Sequence, residues 1–338
     1  MLDVTTDGNY ITFGERFGVS FQRTLRIPDD GKTYPLPPSL GKFPIYHVED
    51  YKETVPEDWV ERGGVFIPMY QREALWIQFN AANWKPNAVK VGVGMINAIS
   101  GKKWDQRLVD SENDYVVCPD QPWLDGINAG DGFIKQFVAM PLGMGYTVEG
   151  QVTGEEKFGG IQIIVYEPKP GKFPDELPIS RHYSLSDFHH KNSSPLEMSD
   201  VCYSIKCVDM GLGAGGKMKQ KIYPDEYEID TWNQNNYGRI YIHIVNSMAF
   251  RDITGFEPPT TPISAKQYAS YGFPWFDLYD EEKGDIKSSK DLNKVKTIKE
   301  MDKEKGFKPQ QDDSSVKIFH KKIVLLQKKG KPVQKGSW

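Results

Sequence analysis

Between Asp120 and Glu149 the chain gathers four carboxylates, Asp120, Asp125, Asp131 and Glu149, around one tryptophan, Trp123. Two carboxylates can share the hydrolysis of a glycosidic bond, and an indole can stack on the sugar ring. The stretch that carries them, 115–167, consists of short apolar runs cut by glycine turns. A rigid β scaffold with polar loops of this kind is where ligands usually meet a fold. Asp120, Trp123, Asp125, Asn128 and Asp131 are therefore the candidate binding residues, and carbohydrate binding or hydrolysis is the chemistry they suit. No complete catalytic set accompanies them, so no catalytic residue is assigned.

Other motifs admit a ligand on paper and fail on detail. Asp125, Asn128 and Asp131 place oxygens at offsets 0, 3 and 6. An EF-hand needs ligands at every second position and an acid at the twelfth, which here is Gln136. A calcium loop of another type is the one cofactor the segment admits; capped turns are the plainer expectation. Gly211–Met218 has the Gly-x4-Gly-Lys spacing of a phosphate loop, but Met218 replaces the magnesium-binding hydroxyl and Pro224 interrupts any following helix. It reads as a flexible glycine turn. His182, Asp187, His189 and His190 precede Cys202 and Cys207, and zinc comes to mind. On a strand 201–208 the two thiols would face opposite sides, ~16 Å apart, too far for one tetrahedral ion. No metal site is assigned. Cys118, before Pro119 at a strand end, reads as a buried, inert thiol.

The elements that must position these residues are strands. Val19–Ile27 alternates apolar and polar residues, the period-two mark of a strand with one wet face. Further strands are expected at 65–70, 73–79, 88–99, 115–118, 134–140, 146–152, 161–167, 201–208, 239–246 and 316–326. Helices are expected at 56–63, with proline and acids at its start, at 264–271 behind Ser264, and at 292–305, where Leu292, Val295, Ile298 and Met301 form a stripe. The fold class is mainly β: an antiparallel sandwich or barrel-like sheets with two or three short helices. Residues 1–282 would form the core, with 171–200 a loose connector. Residues 283–338 would form a lysine-rich segment with one helix and one terminal strand.

The chain has 338 residues, 26% charged, with 31 glycines and 23 prolines; such a density of breakers disfavours long helices. No apolar run reaches the ~18 residues of a membrane span, and the amino terminus lacks the features of a signal peptide. Three cysteines make no disulfide framework. A cytoplasmic protein is expected, with non-classical export as the alternative. From Lys283 on, 16 lysines face 7 acids, a net +9 that leaves −13 on the rest of a chain of total charge −4. Without arginine or many aromatics this tail suits weak binding to anionic surfaces and not specific nucleic-acid readout.

Four blocks, 63–79 (GGVFIPMYQREALWIQF), 88–101 (AVKVGVGMINAISG), 118–143 with its core CPDQPWLDGINAGDG, and 272–280 (GFPWFDLYD), resemble a family of uncharacterised bacterial and fungal proteins. The resemblance implies a single module and carries no activity or site residue with it. Within the last block Phe273, Trp275, Phe276 and Tyr279 either plug one end of the fold or anchor a partner. The function expected from the sequence is a non-enzymatic β-sandwich that binds a macromolecular partner or assembles with copies of itself. The alternative is a carbohydrate-binding or carbohydrate-active protein that uses Trp123 and its neighbouring acids.

Overall fold

Period-two patterning carries through to the backbone. The computed structural model describes residues 1–109, 111, 113–176, 208–278, 283–308 and 310–326. It is mainly β, with one large sheet whose pairings are antiparallel except for Val65–Met69, which runs parallel to Ile242–Asn246. In spatial order the sheet runs Val4–Asp7, Tyr10–Phe13, Phe17–Thr24, Ala74–Asn80 and Phe133–Pro141, then Asp209–Lys219, Trp232–Asn246, Ile161–Pro168, Asn87–Val93 and Val116–Cys118. Among the described residues there are six α-helices, none longer than the eight residues of Ser247–Thr254.

Register decides which side chains go inside. Val19 faces Phe79 and Phe21 faces Ile77 across one pair, and all four are buried. Ile163 faces Val91 and Ile240 on either side. Phe13, Val19 and Phe21 from one end of the sheet join Val91, Ile163 and Ile242 from the other in a single core cluster. The sheet is therefore curled around its own apolar face, as the hydrophobic effect demands of a long one-sided sheet. The curl nearly meets itself: the Leu2 N–H donates to the Tyr237 carbonyl at 2.9 Å. It does not close into a barrel.

Segment 283–308 packs against this body. Ile286, Leu292 and Val295 belong to the main core, and the helices Lys290–Lys294 and Ile298–Glu304 start at the caps Ser289 and Thr297. Beyond them, Asp302, Asp312 and Asp313 meet two arginines of the sheet region. Arg26 pairs with Asp312 and, at 2.8 Å, with Asp313. Arg72 reaches Asp302 and Asp312 at 2.8 Å each and Asp313 at 3.2 Å. Strands Trp275–Leu278 and Ile323–Leu326 form a separate parallel pair.

Several expected elements differ. Residues 146–152 form no strand: Thr147 caps the helix Val148–Thr153, its hydroxyl accepting the Gly150 N–H. The run 88–99 is a hairpin of Asn87–Val93 and Ile96–Asn97, broken at Gly94-Met95 where both φ angles are positive. Instead of one helix over 292–305 there are two, split at Val295, whose φ and ψ are extended. At the chain's far end only Ile323–Leu326 is a strand. The glycine stretch 211–216 is no turn; it lies in the middle of Asp209–Lys219. A Cβ at Gly213 would stand 2.8 Å from the Tyr146 carbonyl oxygen, and one at Gly215 2.7 Å from the Val138 side chain. These glycines serve close packing of backbone on its neighbours. The helices Glu57–Arg62 and Ala265–Ser270 stand where expected, the second with a full capping box from Ser264 and Gln267. The strand expected over 201–208 and the cluster His182, Asp187, His189, His190, Cys202 and Cys207 lie outside the described residues, as does most of 171–200.

Candidate functional site

The outer face of three adjacent strands, Asn87–Val93, Ile161–Pro168 and Trp232–Asn246, builds a groove. Period two sends Val91, Ile163 and Ile242 inward and leaves the alternate residues outside. Two cross-strand rows follow from the register: Gly92, Gln162 and Tyr241, then Lys90, Ile164 and Arg239. Residues 101–109 fold back over the end of this face, where the Trp104 N–H donates to the Met95 carbonyl at 2.8 Å. Trp104 packs against Gly92, so close that a Cβ there would be 2.6 Å from its ring. Glycine at 92 thus lets an indole form one wall. Beneath it Lys90 pairs with the buried Asp114 at 2.6 Å.

The opposite wall is a column of rings. Trp59 stacks on His243 and His243 on Tyr241, each with centroids 4.4 Å apart. The Arg62 guanidinium sits 5.1 Å from the centre of the Phe158 ring and 5.7 Å from that of Tyr241. Arg62 also donates to the carbonyls of Phe158 and Lys157, both at 3.3 Å, and pairs with Asp58 at 2.9 Å. The Tyr241 hydroxyl donates to the Phe158 carbonyl at 2.7 Å. Glu149 shapes that loop: its carboxylate accepts the N–H groups of Lys157, Phe158 and Gly159, the last at 2.9 Å. Between the walls lies a cavity of about 370 Å³, bounded also by Gln106, Gln162 and Arg239. Arg239 donates to the Gln106 side chain at 3.0 Å. Among the described residues no carboxylate pairs with it.

Burial sets the charge states around the column. It drives the His243 imidazole down to about 3, so the ring is neutral, with Nε2 against the Gly63 carbonyl at 3.0 Å. It raises the Tyr241 phenol above its usual range and the Asp209 carboxyl to about 7, although Trp59 donates to Asp209 at 3.1 Å. The groove therefore offers two permanent positive charges, three rings and two amides. A planar oxyanion on a body with an apolar face matches that set. A cavity of this size falls within the range of small-ligand sites.

Of the five residues singled out from the sequence, Trp123 and Asp125 meet, the Trp123 side chain hydrogen-bonding the Asp125 carboxyl, and the other three are engaged separately. Asp120 pairs with Lys283 at 3.1 Å. Trp123 meets Trp76 edge to face at 6.4 Å. Asp125 is buried, raised to about 7 by desolvation, and accepts from Gln220 at 2.7 Å. Asn128 donates to the carbonyls of Ile99 and Lys287 and accepts the Gly130 N–H. Asp131 stands exposed in a turn with φ of 55°. In the aromatic block Trp275 is 1% exposed and belongs to the main core, while Phe273 is 49% exposed and packs on Tyr268. Phe276 hydrogen-bonds Leu36 through its backbone, and Tyr279 lies outside the described residues. Among the described residues no group of three or more His, Cys, Asp or Glu is arranged to hold a metal ion, and no helix is long and apolar enough to cross a membrane.

No family model, curated protein or solved structure matches this chain. The reading of the groove therefore rests on its own geometry. Arg62, Trp104, Gln162, Arg239 and Tyr241 escaped the sequence reading. One signal for part of the set was present: in RIYIHIVN, residues 239–246, alternation places Arg239, Tyr241 and His243 on one strand face.

Proposed function

We propose that the protein is a non-enzymatic binding protein for an acidic carbohydrate, held in the groove between Trp104 and the Arg62–Tyr241 wall. The observation that carries this reading is the pairing of two guanidiniums with ring walls around one open volume of about 370 Å³. Arg62 and Arg239 would take the carboxylate of a uronic acid, Trp104 and Tyr241 the apolar face of the sugar, and Gln106 its hydroxyls. This keeps the carbohydrate alternative drawn from the sequence and moves it from Trp123 to the groove.

Calorimetric titration with glucuronate tests it, with glucose as the neutral control. Glucuronate should bind at least ~10-fold more tightly than glucose, since one charge-assisted contact is worth about 1.5–3 kcal/mol. Arg62→Ala should remove that preference and Trp123→Ala should leave it intact. Equal affinity for the two sugars, or binding abolished by Trp123→Ala alone, would reject the assignment.

A second reading, assembly with further copies or a protein partner, is favoured by another surface. Near the parallel pair Trp275–Leu278 and Ile323–Leu326, Phe319 is 61% and Leu325 52% exposed. Light scattering after size exclusion decides it: a strict monomer at micromolar concentration removes self-assembly.

A further inference from the structure

The groove has a neighbour. A second cavity of about 400 Å³ shares Gly64, Arg239 and Ile240 with it and extends to Thr6, His47, Glu49 and Val60. Its origin is a gap in strand pairing. On one edge, Trp232–Asn246 is held by Leu2 at Tyr237 and by Val65 from Ile242 onward. Between those two points no strand pairs with that edge among the described residues. Along a strand, carbonyls point alternately to the two edges. The Tyr237 carbonyl faces Leu2 and the Tyr241 carbonyl lies against Gly64. The Arg239 backbone between them therefore faces the notch. Gly64, with φ of 87°, leaves no side chain on the ridge between the two cavities, and one would collide with the Tyr241 carbonyl.

We infer that groove and notch form one trough with two subsites, and that the ligand is an acidic sugar unit linked to a second, neutral one; this rests on the carbohydrate reading above. The notch carries groups of both hydrogen-bonding senses: the Thr6 hydroxyl, 2.6 Å from the His47 ring, and the Arg239 backbone. Hydroxyls, which donate and accept, satisfy such a lining. Glu49, paired with Lys52 at 3.3 Å, lines the notch and offers no cation to a second carboxylate there, while Arg62 on the other side of the ridge attracts the first. Arg239 stands over the junction and reaches both units. The arrangement selects a uronic acid joined to a neutral hexose over a chain of uronic acids.

The test is calorimetry on the full chain with glucuronate, a panel of aldobiouronic acids differing in linkage, and a diuronic acid. The best aldobiouronic acid should bind at least ~10-fold more tightly than glucuronate, the gain expected when a second contact becomes intramolecular. It should also outrank the diuronic acid. Val60→Trp, at an exposed helix position that lines only the notch, should reduce the disaccharide to the affinity of glucuronate and leave glucuronate unchanged. His47→Ala should weaken the disaccharide alone. Equal binding of mono- and disaccharide, or an unchanged disaccharide in both variants, overturns the second subsite while the groove assignment stands. Absence of binding by every acid overturns both.

Discussion

Arg26 and Arg72 sit among the carboxylates of Asp302, Asp312 and Asp313, whereas Arg62 and Arg239 face an open groove with backbone carbonyls, amides and rings for company. In the first region charge answers charge: Arg72 alone holds three acids and is driven further toward its protonated form, despite the desolvation that opposes it. That arrangement has no capacity left for a ligand. In the second region Arg62 has a single acid, the part-exposed Asp58, and Arg239 has none among the described residues. What separates a structural cation from a recognising one is thus its partners and not its residue type.

Breaking the first region should cost most. Arg72→Ala removes the cation paired with the nearly buried Asp302 and leaves Asp313 to Arg26 alone, and should destabilise the fold by about 3–5 kcal/mol, the range for removing one member of a buried pair. A urea denaturation midpoint close to wild type would show that the network contributes nothing net.

Asp125 sharpens the comparison from the opposite side, being a buried acid answered by the Gln220 amide and the Trp123 side chain and, among the described residues, by no cation. Its carboxyl is raised from 3.8 to about 7. The native state then holds a proton that the unfolded chain releases, so stability falls as pH climbs from about 4 to 7 and levels off above. Asp125→Asn removes the charge and should stabilise the protein at pH 8 on the order of 2–4 kcal/mol, with no gain at pH 4. Parallel stability–pH curves for variant and wild type would refute the buried, neutral acid.

Arg239→Ala should be the mildest. With an exposed side chain and no acid to abandon, it should change stability by no more than about 0.5 kcal/mol while weakening glucuronate. A large drop in melting temperature would place Arg239 with Arg72 and dissolve the contrast.

The sequence made the class readable because alternation is local: Val19, Phe21 and their partners declare a strand within a few residues. It misread Gly211–Gly216 because glycine signals both a turn and a close approach, and only the Tyr146 carbonyl and the Val138 side chain, brought there by the fold, distinguish the two. Thr147 was equally ambiguous, since an apolar-rich stretch of six or seven residues suits helix and strand alike. The acids near Trp123 drew notice as neighbours in sequence, yet Asp125 stands just before the strand Gly126–Gly130, buried against Gln220, while Asp131 stands just after it in an exposed turn. The groove was hidden for the converse reason. Its residues come from 62, 104, 162 and 239–241, and register alone brings them together.

The arginine–aspartate network also sets an order of events during synthesis. Arg26 and Asp313 are 287 positions apart, and a ribosome adding roughly 5–20 residues per second needs about 15–60 s to travel that far. For most of that interval the nascent sheet carries the Arg26 and Arg72 guanidiniums before their aspartates have been made. The network can therefore close only once residues 302–313 have been made, and the sheet's two arginines take their fixed positions after its strands have been synthesised.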